Sequence, residues 1–290
     1  GIQLAYAAAA KTFTKGGVNR VVLATDGDFN VGVTSENELV RLIEEKRRGG
    51  VFLSVLGYGR GNLKDSTMEA LADKGNGNYA YIDTQGEARK VLGEQLGGTL
   101  HTSAKDVKIQ VEFNPRTVAG YRLVGYENRL LRDRDFNDDT KDAGEIGAGH
   151  TVTALYEVVP AGQKVENPGV DELKYGRQEA PSGEMRGGEL MTVKLRYKEP
   201  DGEESRLLSV AVADSNASHQ NASENLKFSS AVAEFGMLLR GSRYKGAATY
   251  DSALRLARAA AGADLRGHRA EFVNLVERAK TLSTQVSMRE

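Results

Sequence analysis

Short apolar runs separated by stretches of helical spacing govern the first hundred residues and leave few folds open to them. In Arg20-Val21-Val22-Leu23-Ala24-Thr25-Asp26 the apolar residues are consecutive and do not alternate, which predicts a strand covered by helices on both faces. Val51 to Gly59 repeats the pattern, and Asn78 to Asp83 reads as a third strand. Ile2 to Phe13 is alanine-rich and helical, and Gly16 and Gly17 end it. A second helix opens at Thr34 or Ser35, sets Leu39, Leu42 and Ile43 on one face, and closes in Lys46-Arg47-Arg48 and glycine. A third precedes Asn78, and Glu87 to Leu100 reads as a fourth. Strands alternating with helices at this spacing require right-handed crossovers, hence a mainly parallel, doubly wound, Rossmann-like α/β layout.

After about Ser103 the period changes to two. Val107, Ile109, Val111 and Phe113 are expected to face one way, with charged and amide residues between them, as in a half-solvated antiparallel strand. Segments ending at Leu131, Pro160, Pro200 and Asp214 continue in this style, the last two joined by a turn at Pro200-Asp201-Gly202. Residues 161–188 are polar, carry Pro168 and Pro181, and read as a surface loop. Helical spacing returns from Ser223. The expected organisation is an α/β domain over residues 1–103 and an antiparallel β domain over 104–290, helical from about 222.

Composition removes several function classes. Lys and Arg number 39 against 40 Asp and Glu, a net charge of −1, so there is no basic footprint for a nucleic acid. The absence of cysteine excludes disulfides and thiolate chemistry. No stretch reaches the roughly 20 apolar residues of a bilayer-spanning helix. The chain begins at Gly1 already in helical pattern, and is expected to be part of a longer protein.

The first strand ends on Thr25-Asp26-Gly27-Asp28. Ligands of doubly wound sheets gather beyond the carboxyl ends of the strands, where a carboxylate can supply one oxygen to a hard divalent cation. Gly27 lets backbone approach closely. Equally, Asp26 and Asp28 can simply make a polar turn and cap. With the small-residue helix before it and Val51 to Gly59 after it, this stretch resembles the central and C-terminal part of a von Willebrand factor type A domain. That resemblance implies a metal-ion-dependent adhesion site using Mg²⁺ or Mn²⁺ in the intact protein, with Asp26 as metal ligand and Thr25, Gly27 and Asp28 adjacent. The site's other two sequence pieces precede the matching region, so no tight metal binding is expected of this chain alone. Gly120 to Pro160 resembles the C-terminal domain of unknown function in YfbK-type bacterial proteins, which implies an extracytoplasmic, cell-envelope setting.

Asp214, Asn216 and Ser218 mimic the spacing of a missing adhesion-site piece but read better as a polar strand-to-helix connection. Acids also crowd Asp133, Asp135, Asp138, Asp139, Asp142 and Glu145, near His150. A calcium loop fails there, because position six is Asp138 instead of glycine and position twelve is Gly144 instead of glutamate. A solvated acidic loop held by Arg129, Arg132 and Arg134 is the expectation, and a metal loop the alternative. Gly57 to Asn62 lacks the third glycine of a dinucleotide loop, and no G-x-S-x-G is present. The expected function is a protein-binding, non-enzymatic module. Alternatives are a metal-independent scaffold and, less favoured, an enzyme using residues 133–150. Self-association through an exposed edge of the first sheet is a further expectation.

Overall fold

In the first sheet, β1 (Arg20–Thr25), β2 (Phe52–Gly57) and β3 (Tyr79–Tyr81) pair in parallel in that order. The computed structural model of the 290-residue chain describes residues 1–27, 35–59, 63–125, 130–141, 143–163, 188–200 and 202–287. Helices α1 (Ile2–Lys11), α2 (Glu36–Arg48) and α3 (Asp65–Lys74) provide the apolar partners of one face. Tyr6, Leu39, Ile43, Met68 and Leu71 join Val21, Leu53 and Val55 in a core whose members are nearly inaccessible. Alternation sends Leu56 to the opposite face, where it packs with Ile82 and Val91. The parallel α/β layout expected from the sequence is present.

Coverage of β1 differs from expectation. Val21 is buried, but Val22 is 45% exposed and Ala24 is exposed, so one face of this strand is open. The reason is position: β1 is at the sheet edge, and its helices pack on the Val21 side. Phe52 N donates to Asn19 O and Tyr58 N to Thr25 O, so odd positions of β1 turn their backbone groups toward β2 and even positions turn theirs to the free edge.

Gly77 makes the approach of β3 to β2 possible. A Cβ there would lie 1.7 Å from Leu53 O, while Leu53 N donates to Gly75 O and Val55 N to Asn78 O. The single helix expected over residues 87–100 is instead three pieces. α4 (Gln85–Arg89), capped by Thr84 Oγ1 on Glu87 N, leads into a π turn over 90–94 and then α5 (Leu96–Leu100). Gly93, Gly97 and Gly98 explain the breaks, since glycine costs about 1 kcal/mol per helical position relative to alanine.

The antiparallel half contains β4 (Thr102–Phe113), β5 (Val118–Val124), β6 (Gly144–Gly147), β7 (Leu155–Pro160), β8 (Glu189–Lys198) and β9 (Ser205–Ala213). Four strands form a sheet in the order β6-β4-β8-β9, and β5 and β7 form a two-stranded ribbon. Phe113, Tyr121 and Tyr156 stack with centroid separations of 4.5 to 6.4 Å. Helices α6 (Glu224–Leu239), α7 (Tyr250–Ala259) and α8 (His268–Ser287) pack through Phe235, Leu254, Phe272 and Val276. The expected loop at 161–188 lies almost wholly outside the described residues.

By internal contacts the chain divides into two compact units. One gathers Gly1–Gln110, Leu131–Thr151 and Val193–Ser209, the other Val111–Leu130, Val152–Thr192 and Val210–Glu290. No helix among the described residues is long and apolar enough to cross a membrane.

Candidate functional site

The carboxyl ends of β1 to β3 carry the first candidate. Beyond Thr25 the chain turns at Asp26 and Gly27, and Gly27 takes a φ of +82°. A side chain there would be strained by that φ, and its Cβ would lie 3.1 Å from Lys64 Cβ and 3.3 Å from Met68 Cγ. Gly27 N donates to Thr25 Oγ1 at 3.1 Å, so the threonine hydroxyl is engaged in holding the turn. Lys64 N donates to Asp26 O at 3.4 Å, and Tyr58 N donates to Thr25 O at 2.8 Å. The neighbouring strand ends are tied similarly: Tyr81 Oη donates to Gly59 O at 2.8 Å. Tyr79 Oη donates to Asp65 Oδ1 at 2.5 Å, and burial, with Asp65 beside it, raises this phenol well above its ordinary value. Asp26 is therefore an exposed carboxylate on a turn fixed from several sides. Asp28 lies outside the described residues.

Would this edge hold Mg²⁺ or Mn²⁺ unaided? Such a cation wants about six oxygen ligands in a defined geometry. Among the described residues there is no group of three or more His, Asp or Glu side chains placed to share a metal. The described part of the edge does not by itself form the site.

The acidic segment has a different character. Asp135 is buried, takes Arg132 Nε at 2.7 Å, and has Arg134 Nε at 3.9 Å. Asp138 Oδ1 accepts from both the hydroxyl and the backbone N of Thr140, which hold its carboxyl below the usual range. Asp139 Oδ1 accepts from Ser205 Oγ at 2.5 Å and from Arg196 Nε and Nη2 at about 3 Å. The Ser205 bond, aided by Arg196, lowers its pKa. Two buried lysines anchor the same segment. Lys108 Nζ donates to Asp138 O, and Lys198 Nζ donates to Asp139 O at 2.9 Å and to Asp106 Oδ2 at 2.7 Å. Burial opposes the charge on Lys198, but Asp106 more than offsets it and the amine is held above its ordinary value.

The Asp139 carboxylate ties residues 133–141 to β8 and β9 and the Asp138 carbonyl ties them to β4, while the Asp135 and Asp138 carboxylates bond locally to Arg132 and Thr140. Of the arginines expected to hold the segment, Arg132 and Arg134 do so at Asp135; Arg129 and Asp142 lie outside the described residues. The expected inward face of β4 also needs correction. Lys108 is 3% exposed and Ile109 is 44% exposed. Asp106 at φ +52° and register shifts in the β4–β6 pairing interrupt simple alternation, and the Asp138 carbonyl makes a buried ammonium tolerable. Sequence reasoning missed Asp106, Lys108, Arg196, Lys198 and Ser205. The local pattern gave no sign of them, since Lys108 and Lys198 stand at the polar positions of the alternation.

Asp214, Asn216 and Ser218 are exposed, and Asp214 Oδ1 accepts from Asn216 N at 2.8 Å in a local turn, with Asn216 at φ +51°. The run leads to Ser223, whose hydroxyl caps α6 on Leu226 N. It is the polar connection the sequence suggested.

A mixed α/β chain of this kind, with its parallel sheet followed by antiparallel strands and terminal helices, falls in a recognised family. Residues 98–282 match the family described as "Uncharacterized protein YfbK, C-terminal", and the chain belongs to that family. It is 44% identical over 278 residues to the uncharacterized protein YfbK of Escherichia coli (strain K12), covering 96% of this chain and 47% of that protein. The chain thus spans about half the length of that curated relative. Among solved structures, a von Willebrand factor type A protein from Catenulispora acidiphila aligns with 89% of this chain and 60% of its own, at 14% identity and a TM-score of 0.37. Human COPII-coat protein Sec24c aligns with 88% of this chain and 34% of its own, at 11% identity and a TM-score of 0.38.

Proposed function

We propose that the chain is a protein-binding module whose docking surface is the carboxyl end of the parallel sheet. The observation that carries this reading is Asp26: an exposed acid on a rigid turn, set among strand ends whose own polar groups are already bonded. A fixed, exposed charge on a preorganised platform suits recognition. The finer form of the proposal is that Asp26 gives one oxygen to Mg²⁺ or Mn²⁺, the other ligands coming from outside the described residues, in an extracytoplasmic protein of the bacterial cell envelope. Binding without catalysis fits the acidic segment, where Asp135, Asp138 and Asp139 each have a local structural partner.

A photo-crosslinking residue in place of exposed Lys64, beside Asp26, tests the reading in the whole bacterial protein. One discrete protein adduct is expected, lost on Asp26→Ala and on chelation. An adduct that survives chelation but not Asp26→Ala supports a metal-independent scaffold. An adduct indifferent to Asp26→Ala refutes the docking surface.

A further inference from the structure

We propose that β9 is a self-pairing strand, through which two copies of this chain join antiparallel about a two-fold axis at Val210. Among the described residues β9 is the outer strand of its four-stranded sheet and has one neighbour, β8. From Leu207 to Ala213 it carries no charge, proline or glycine. Leu207 and Leu208 are each 54% exposed and Val210 is 60% exposed, so apolar side chains stand open on both faces of the strand. Native sheets protect edges with short strands, charges, proline or bulges. The other edges follow that rule: β6 has four residues and contains Glu145, β3 has three, and β1 has six including Arg20. β9 has nine residues and none of these devices along its middle.

The occupant is specified by register and charge. A two-fold axis at Val210 sets Leu207 opposite Ala213 and Ser209 opposite Ala211 of the partner. The same axis sets Leu208 opposite Val212 and Arg206 opposite Asp214. Both charged ends of the strand thereby meet an opposite charge, twice per dimer. Arg206 engages Glu199 at 2.8 Å and Asp214 accepts from Asn216 N through Oδ1, and both side chains are exposed and accessible to this contact. A strand of unrelated sequence would match the apolar middle but not both charged ends.

Sedimentation velocity on the 290-residue chain at tens of micromolar is the test. A concentration-dependent dimer is expected. Val210→Lys, at an exposed position, sets two ammonium groups face to face across the axis and should weaken association at least about tenfold with unchanged circular dichroism and melting. Arg206→Asp should weaken it too, and the double variant Arg206→Asp/Asp214→Arg should restore it. The chain has no cysteine, so crosslinking reads register directly. Under a mild thiol oxidant Val210→Cys should form a disulfide dimer, the facing Cα atoms of a directly opposed pair being roughly 4.5 to 5.5 Å apart. Leu207→Cys should not, because its copies lie about 20 Å apart along the ladder. A monomer at all concentrations, a Val210→Lys dimer as tight as the wild type, or equal crosslinking at both positions would overturn the proposal.

Discussion

Replacing Lys198 by methionine should expose what the clasp contributes. The amine is buried at 6% exposure and donates to Asp106 Oδ2 and Asp139 O at 2.7 and 2.9 Å. Methionine keeps the stem but strands Asp106, whose side chain is 17% exposed and retains a bond from Ala143 N at 3.3 Å. Removing one partner of a buried pair costs about 3 to 5 kcal/mol. A loss at the lower end of that range, about 3 kcal/mol, follows, because Asp106 keeps the Ala143 N bond and some exposure. Urea unfolding followed by circular dichroism at pH 7 reads it as a midpoint shift of about 1 M. Adding Asp106→Asn, which keeps a residue tolerant of φ +52°, should recover most of the loss. A loss below about 1 kcal/mol, or one that Asp106→Asn does not relieve, would refute the argument that a stranded buried charge dominates.

Two further outcomes test local geometry and charge. Gly77→Ala should abolish the β2–β3 pairing and yield little folded protein, because its Cβ would overlap Leu53 O, whereas Gly93→Ala, with nothing within 4 Å, should fold normally; soluble yield and thermal melting separate them. Ser205→Ala should raise the depressed pKa of Asp139, followed by carboxyl-carbon NMR. Because that folded pKa lies below the unfolded value of about 3.9, its contribution is present above about pH 4 and lost as pH falls through the folded value, so the variant's clasp should open at higher pH than the wild type's.

The parallel α/β half was legible because its signals are local. Consecutive apolar residues at Val21 and Leu53 and the helical face of Leu39 and Ile43 are read within a few neighbours. So was the Asp-Gly strand end, and the holding of the acidic segment by Arg132 and Arg134, though not their partner Asp135. The clasp was not legible, because Lys198 and Asp106 are 92 residues apart and neither shows its partner in the local pattern. Val22 misled for a related reason: hydrophobicity records that a side chain suits burial, but what covers it is a property of strand order. Residues 85–100 have helical spacing, yet their glycines weaken backbone preference enough for a π turn to intervene.

That distinction bears on where this molecule meets others. In the acidic segment charge looks like the material of a site, yet Asp135, Asp138 and Asp139 are bonded to Arg132, Thr140, Ser205 and Arg196 within the chain. The proposed self-pairing rests instead on backbone left without a ladder partner among the described residues, and edges differ sharply in how well they are protected. The sequence pointed to the first sheet for self-association, and there β1 offers an edge of only six residues, with Arg20 drawn back to Ser54 Oγ and over the Phe52 ring of β2. On β9, by contrast, seven uncharged residues lie between Arg206 and Asp214, and the charges bracket the strand so that an antiparallel copy of itself is the complementary match. If both edges associated, the chain would form open polymers; if β9 alone does, its two-fold axis closes the assembly at two. A dimer that does not grow with concentration therefore discriminates between the two edges before any residue is changed.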